Sequence, residues 1–445
     1  MRVVKRFAPA IALTLGLVLA LAGVSSAATW YVKPDGSGDA ATIQDAVWAA
    51  APGDTIFLAD GTFSGDGNRD VWVDNESIII CSQSGNPALC IIDCGGSASG
   101  YHKALDFRAD APTEAVLAGV TIRGGYGSST GGVYASNFSA AGGGAVIIVN
   151  CVFTENESQW SGGAMMAAGD VNLSLGGCQF TGNTANTGAA LGLGVGSTTV
   201  ATGCTFADNV ATASGGAVFL GAAGEPAYAA FVSCIFSGNT AAHYGGAILA
   251  EEGDPILMGC RFEGNSAAWS GGALYLMGHL AMHNCVSVRN SAGVLGSSIY
   301  SHTVAPITIS NCSFVADSLG QAVACFPANA LPALDKTVIA FAVGAAAIYC
   351  GNPAGALTLT CCNIFGNEYG DWTGCIADQA GINGNISQDP RFCDIPTGDV
   401  SVEDCSPCLA ANNSCAQDIG AEGQGCLCGE ATVPTTWGSI KALYK

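Results

Sequence analysis

Basic residues are scarce in this chain: 14 Lys and Arg stand against 35 Asp and Glu in 445 residues, a formal net charge of −21. A surface so poor in cations does not hold nucleic acid through its phosphates, and it is repelled by anionic lipid. Charge of either sign is sparse, at 11% of residues, so the chain is not a polyanionic tail either. Long hydrophobic runs are missing after the first 22 residues. The longest, Val338 to Tyr349, is too short and too rich in Ala and Gly to cross a bilayer. The mean hydropathy of +0.38 therefore predicts a long Ala- and Gly-lined core, with no membrane span once a signal segment is removed. No apolar 3.6-residue period runs unbroken for roughly 10–12 residues, which excludes a helical architecture. Histidines are few: 102, 243, 279, 283 and 302. Only His279 and His283 share a metal-like spacing, and in a strand they would lie about 13 Å apart. No nucleophile motif stands out.

What is abundant is Gly, Cys and repetition. One phrase, Cys-x-aromatic-x-x-Asn, recurs as Cys151 to Asn156, Cys178 to Asn183, Cys204 to Asn209, Cys234 to Asn239 and Cys260 to Asn265. Degraded copies begin at Cys285, Cys312 and Cys362. Successive Cys from 151 to 312 are 27, 26, 30, 26, 25 and 27 residues apart. A second phrase keeps phase with the first: Gly-Gly-Ala begins at 162, 215, 245 and 271, six residues after the respective Asn. A period of this size means stacked repeats, each unable to bury its apolar face alone. Cys and the aromatic are two apart, so in a strand they share the inward face. Runs such as Ala217-Val218-Phe219-Leu220 and Ala273-Leu274-Tyr275-Leu276 supply a second short strand. A turn of two or three short strands fits an all-β, right-handed parallel β-helix of about a dozen coils. Asn156, Asn183, Asn209, Asn239 and Asn265 are then expected to form an internal amide ladder. The Gly pairs mark corners needing positive φ or close coil approach.

The Phe-x-x-Asn and Gly-Gly-Ala-Ile/Leu tetrapeptides are similar to the repeats of chlamydial polymorphic outer membrane proteins. The start, with Thr29-Trp30-Tyr31-Val32, Asp35-Gly36-Ser37-Gly38, Thr42 to Val47 and Gly53-Asp54-Thr55-Ile56, resembles the opening of pectate-lyase-like β-helix proteins. Over residues 29–400 the resemblance implies a strand, a capping helix that plugs the open end of the stack, and then the coils. It is specific for fold and poor for function, since the superfamily hosts lyases, hydrolases and adhesins. Only about 45 residues follow the coils, so a C-terminal membrane barrel like that of the chlamydial proteins is not expected.

The N-terminus reads as a secretory signal peptide: Arg2, Lys5 and Arg6, an apolar run from Ala8 to Ala22, then Ser25-Ser26-Ala27. Cleavage after Ala27 removes three basic and no acidic residues, leaving 11 − 35 = −24. The expected organisation is signal peptide 1–27, capping segment and β-helix 28–400, a Cys-rich closing segment 401–430, and a linker with a sorting-like tail 431–445. The protein is expected to be exported, to the extracellular space or a bacterial cell surface.

The 21 Cys fall into two populations. Cys151, Cys178, Cys204, Cys234, Cys260, Cys285 and Cys312 are expected to stack inward as thiols, because in-register neighbours hold their Cβ vectors side by side, a poor geometry for disulfides. Cys393, Cys405, Cys408, Cys415, Cys426 and Cys428 sit in a loop-rich stretch and are expected to form disulfides in place of a missing core. Zinc is the competing reading for Cys405-Ser-Pro-Cys408 and Cys426-Leu-Cys428.

A glycosidase would need paired carboxylates, and a β-helix lyase acidic calcium ligands beside an Arg or Lys base. The outward positions offer neither: Arg261 and Glu263 are flanked by Ile235 and Ser237 on one side and Val286 and Val288 on the other. Glu251, Glu252 and Asp254 read as a solvated loop. Asp66-Gly-Asn68-Arg-Asp70 begins like a calcium loop but lacks the Gly and Glu that complete one. No catalytic residue, metal ligand or cofactor is therefore assigned. One surface row remains, two residues ahead of the Gly corner: Trp160, His243 with Tyr244, and Trp269. These can stack on sugar rings, and four coil steps would put the two Trp about 19 Å apart; packing over the corner is the plainer account. The expected function is a secreted or surface-displayed, non-catalytic β-helix used in adhesion or surface structure, with glycan binding as one option. Polysaccharide or a neighbouring cell surface is the expected partner. The alternative is a polysaccharide lyase or glycoside hydrolase.

Overall fold

The computed structural model describes residues 27–74, 77–109, 113–137, 143–221, 226–302, 305–319, 322–326, 331–350 and 357–429. Residues 1–26 of the expected signal peptide and the expected tail lie outside them. The chain divides into two compact units, Met1–Thr212 with Ala217–Cys234, and Ala213–Gly216 with Ile235–Lys445.

The first unit opens with strand Thr29–Val32 and a helix, Ile43–Ala49. Thr42 caps the helix, its side chain accepting the Asp45 N–H, while Ile43, Ala46 and Val47 form the buried face. Gln44 ties the helix to the coils through both backbone groups of Trp72, at 2.7 and 3.2 Å. All strand pairs between coils are parallel. One sheet runs Thr29–Val32, Thr55–Leu58, Ile79–Ser82, Glu114–Ala118, Ala145–Val149, Asn172–Gly176, Thr198–Thr202, Tyr228–Val232. A second carries the aromatic of each repeat, with Phe153 opposite Phe180 and Phe180 opposite Phe206. A third runs Val71–Asp74, Leu105–Arg108, Val133–Asn137, Met165–Gly169, Leu191–Leu193, Val218–Leu220.

In-register pairing makes equal positions stack. Rings of Phe153 and Phe180 lie 4.7 Å apart, those of Phe180 and Phe206 4.9 Å, each pair tilted by 4°. The expected Asn ladder has the bonding that burial demands. Asn183 Oδ1 accepts both the backbone N–H and the side-chain amide of Asn156 at 3.1 Å, and Asn209 Oδ1 serves Asn183 in the same way at 3.1 and 3.0 Å. Each amide also donates to a carbonyl of the preceding coil, Asn183 to Phe153 O at 3.0 Å and Asn209 to Phe180 O at 2.9 Å.

The second unit repeats this plan. Phe236 stacks on Phe262 at 4.8 Å, and Asn239 binds Asn265 by the same double contact at 2.9 and 3.1 Å. Here the ladder continues beyond its expected members to Asn290 and Asp317. The corner Gly residues show both expected reasons for Gly: Gly271 has φ +70°, and a Cβ on Gly272 would sit 2.1 Å from Ser297 O.

The seven aligned Cys are buried thiols, as are Cys90, Cys94, Cys362 and Cys408. Burial pushes the thiols of Cys151 and Cys362 up to about 12, so they stay protonated and unreactive. Counting thiols in denatured, unreduced protein should return at least these seven, with mass mapping placing them in the repeats. Disulfides between adjacent coils would overturn the inward stack.

The closing segment is where expectation and structure part. Among the described residues four disulfides form: Cys350–Cys375, Cys361–Cys415, Cys393–Cys426 and Cys405–Cys428. Cys408, expected to pair, is instead a buried thiol accepting the Asn363 amide at 3.3 Å. The zinc reading fails on the same ground, since Cys405, Cys426 and Cys428 are bonded sulfurs. Nor do the disulfides replace a core. Phe392–Asp394, Asp399–Glu403 and Gln424–Cys426 form a small sheet, which begins before the expected boundary at 401. Its Phe392, Ile395, Val400 and Val402 pack with Val286, Val288, Val315, Val338 and Ala340 of the coils. Arg289 donates to Pro396 O at 2.8 Å and pairs with Glu263, and Arg261 pairs with Glu263 at 2.8 Å and Glu422 at 3.7 Å. The outward row that looked like plain surface is a docking face.

Candidate functional site

Among the described residues two groupings gather side chains that could hold a ligand. The first lies in the first unit, around the start of the third sheet. Asp70, with φ +52°, immediately precedes strand Val71–Asp74. Its Oδ1 accepts the Lys103 N–H at 3.0 Å and its Oδ2 meets His102 Nδ1 at 2.7 Å. With the carboxylate as acceptor, Nδ1 carries the proton of the neutral ring and Nε2 is the free lone pair. His102 is fixed in turn by paired backbone bonds of 2.9 Å to Tyr126. One coil on, Asp106 stands in register with Trp72 on one side and Tyr134 on the other. Asp106 is 5% exposed; its Oδ2 accepts Lys103 Nζ at 2.9 Å, while its Oδ1 is buried with no partner among the described residues. The Lys103 ammonium also lies 5.3 Å from the centre of the Tyr134 ring. Burial, reinforced by Asp106, pushes the Tyr134 hydroxyl above its usual range. Tyr101 and Tyr126 place their rings 5.5 Å apart. Together these groups enclose a cleft of about 260 Å³. A wider groove of about 540 Å³ shares Asp70 and is flanked by Trp48 and Trp72.

None of this was assigned from the sequence. His102 was read only for metal spacing, and Asp70 only as part of a calcium-like loop. That loop does not converge on a cation. Asp66 pairs with Arg69 at 3.2 Å, Asn68 Oδ1 accepts the Ile43 N–H at 3.1 Å, and Asp70 holds His102. His279 and His283 likewise serve separate partners, Asp254 at 3.1 Å and Ser310 at 2.8 Å.

The second grouping lies in the second unit. The His243 ring is 4.7 Å from Trp269, and Trp269 meets Tyr244 edge-on at 5.4 Å. Tyr244 continues to Tyr275 at 4.5 Å, and Tyr275 to Tyr300 at 5.0 Å. Tyr275 and Tyr300 are outward-facing middle residues of Leu274–Leu276 and Ile299–Ser301, in direct register. They are 5% and 9% exposed, whereas Trp269 is 48% exposed. Three of the four aromatics singled out from the sequence thus sit together, joined by two Tyr that were overlooked. The signal was available: Tyr275 and Tyr300 occupy the same place behind successive corners. Trp160, 68% exposed on strand Glu157–Ser161, belongs to the first unit.

Residues 193–329 match the family model described as a right handed beta helix region. The chain has the right-handed parallel β-helix fold. This is the fold that the pectate-lyase-like resemblance implied; the likeness to the chlamydial proteins rests on the tetrapeptides alone. Among solved structures, the β-helix is similar to pectate lyase Pel9A, with 13% identity and a TM-score of 0.43 over 91% of this chain and 98% of that one. It is also similar to a mutant of the alginate lyase AlyGC, with 13% identity and a TM-score of 0.42, covering 76% of this chain and about half, 51%, of that one. A search of curated protein sequences finds no match. Among the described residues no helix is long and apolar enough to cross a membrane.

Proposed function

We propose that this is an exported, non-catalytic β-helix that holds an extended glycan, in adhesion or as a surface component. The observation that carries the reading is the connected set His243, Trp269, Tyr244, Tyr275 and Tyr300, with its Trp ring half open to solvent beneath which buried Tyr rings fix the geometry. Flat apolar faces stack on sugar rings without needing charge, which suits so acidic a chain. Trp160 is assigned to the same role. Export is supported by the N-terminal pattern and by four disulfides, which persist in oxidising compartments.

A glycan array probed with wild type and with Trp269→Ala is the direct test. The substitution should weaken binding about 10-fold, equivalent to about 1.4 kcal/mol and within the range of ring stacking. Binding that survives both Trp269→Ala and Trp160→Ala would reduce these side chains to corner packing. Unsaturated products or new reducing ends from a polysaccharide screen would replace holding by cleavage.

A further inference from the structure

The cleft of the first unit has a different chemistry from the aromatic cluster and shares no residue with it. We propose that it is a second ligand site, taking one neutral, hydroxyl-rich ring, a single pyranose residue. Three observations converge. Asp106 lines the cleft, and its Oδ1, shut off from solvent, lacks a donor among the described residues; an unmet buried carboxylate oxygen costs free energy, which a ligand hydroxyl would recover on reaching it. Beside it, the Lys103 ammonium uses one hydrogen on Asp106 Oδ2 at 2.9 Å and can donate another to a ligand oxygen. An acceptor next to a donor matches two adjacent hydroxyls of a sugar, one giving and one receiving. The third observation is the paired rings of Tyr101 and Tyr126 on the same wall, 5.5 Å apart, with Tyr101 49% exposed, which offer a face for the ring's C–H surface.

Size and charge narrow the class. At about 260 Å³ the cleft is smaller than the roughly 300–1,000 Å³ of sites for drug-sized ligands, so it fits one ring. Its carboxylates are Asp70 and Asp106, its cation is Lys103, and His102 is held by Asp70. One carboxylate is in excess when His102 is neutral, on a chain that is itself strongly acidic, so a uronate is repelled and a neutral sugar is not. His102 Nε2 adds one further acceptor for a hydroxyl.

The experiment is saturation-transfer NMR on the full chain with methyl glycosides of glucose, galactose and mannose, set against galacturonate. At least one neutral glycoside should give signal and galacturonate none. Asp106→Ala and Lys103→Met should each weaken that signal 10-fold or more with the melting temperature near that of wild type. If Asp106→Ala fails to fold, Lys103→Met decides, since the Lys103 side chain is 28% exposed. No signal from any neutral glycoside, signal from galacturonate alone, or variants that bind like wild type would overturn the assignment. Each of those outcomes leaves the Trp269→Ala result standing, so the two sites fail separately.

Discussion

Replacing Asp317 by Asn should stabilise the protein at pH 8 and change it little at pH 4. Asp317 occupies the ladder position that Asn fills in six earlier copies, and it is fully buried. Its Oδ1 accepts the Asn290 N–H at 2.8 Å, and Ser298 donates to Oδ2. These bonds favour the carboxylate, but burial outweighs them and raises the group from 3.8 to about 7. Because the folded form holds its proton more tightly than the unfolded one, its contribution is complete below about pH 4. It is lost as pH rises through about 7. Three pKa units correspond to about 4 kcal/mol, an upper bound on the gain from Asn, which has no charge to bury. Thermal melts of both proteins from pH 4 to 8 should diverge as pH rises. Parallel curves would show that Asp317 does not titrate in this range.

Val288→Asp should detach the closing segment while the coils stay folded. Val288 points outward from its strand yet is fully buried, against the sheet that carries Phe392, Val400 and Val402. A carboxylate there would be buried in register with Glu263, to which Arg261 and Arg289 are already paired, so docking should lose about 3 kcal/mol or more. Limited proteolysis should then cut within residues 390–429. The Cys361–Cys415 bond should keep the fragment attached until it is reduced. Protection equal to wild type would mean that Arg261, Arg289 and Asn363 hold the segment without its apolar contact.

Ser287, Ser298 and Asp317 show how far reading along the chain can go. Each departs from a repeat position held elsewhere by Phe, Ala or Asn, and each departure is visible by itself. Only the folded coils show that they meet: Ser287 and Ser298 bond at 2.5 Å, and Ser298 donates to Asp317. Their sequence separations are 11 and 19 residues, and nothing in a 26-residue period says which deviations compensate one another.

The sequence by itself determined the parallel coils, the inward Cys and Phe, the Asn ladder and the Gly corners. A solenoid repeats one local rule, and in-register stacking turns a periodic pattern directly into contacts. Tertiary structure decided what departs from that rule. The cleft joins Asp70 to His102 and Asp106, 32 and 36 residues away, through side chains reaching across a coil. The closing segment returns from residue 398 to Arg261, a contact spanning 137 residues. Val286 and Val288 read as exposed because alternation tells only which face a side chain takes; what later covers that face depends on a segment with no period of its own.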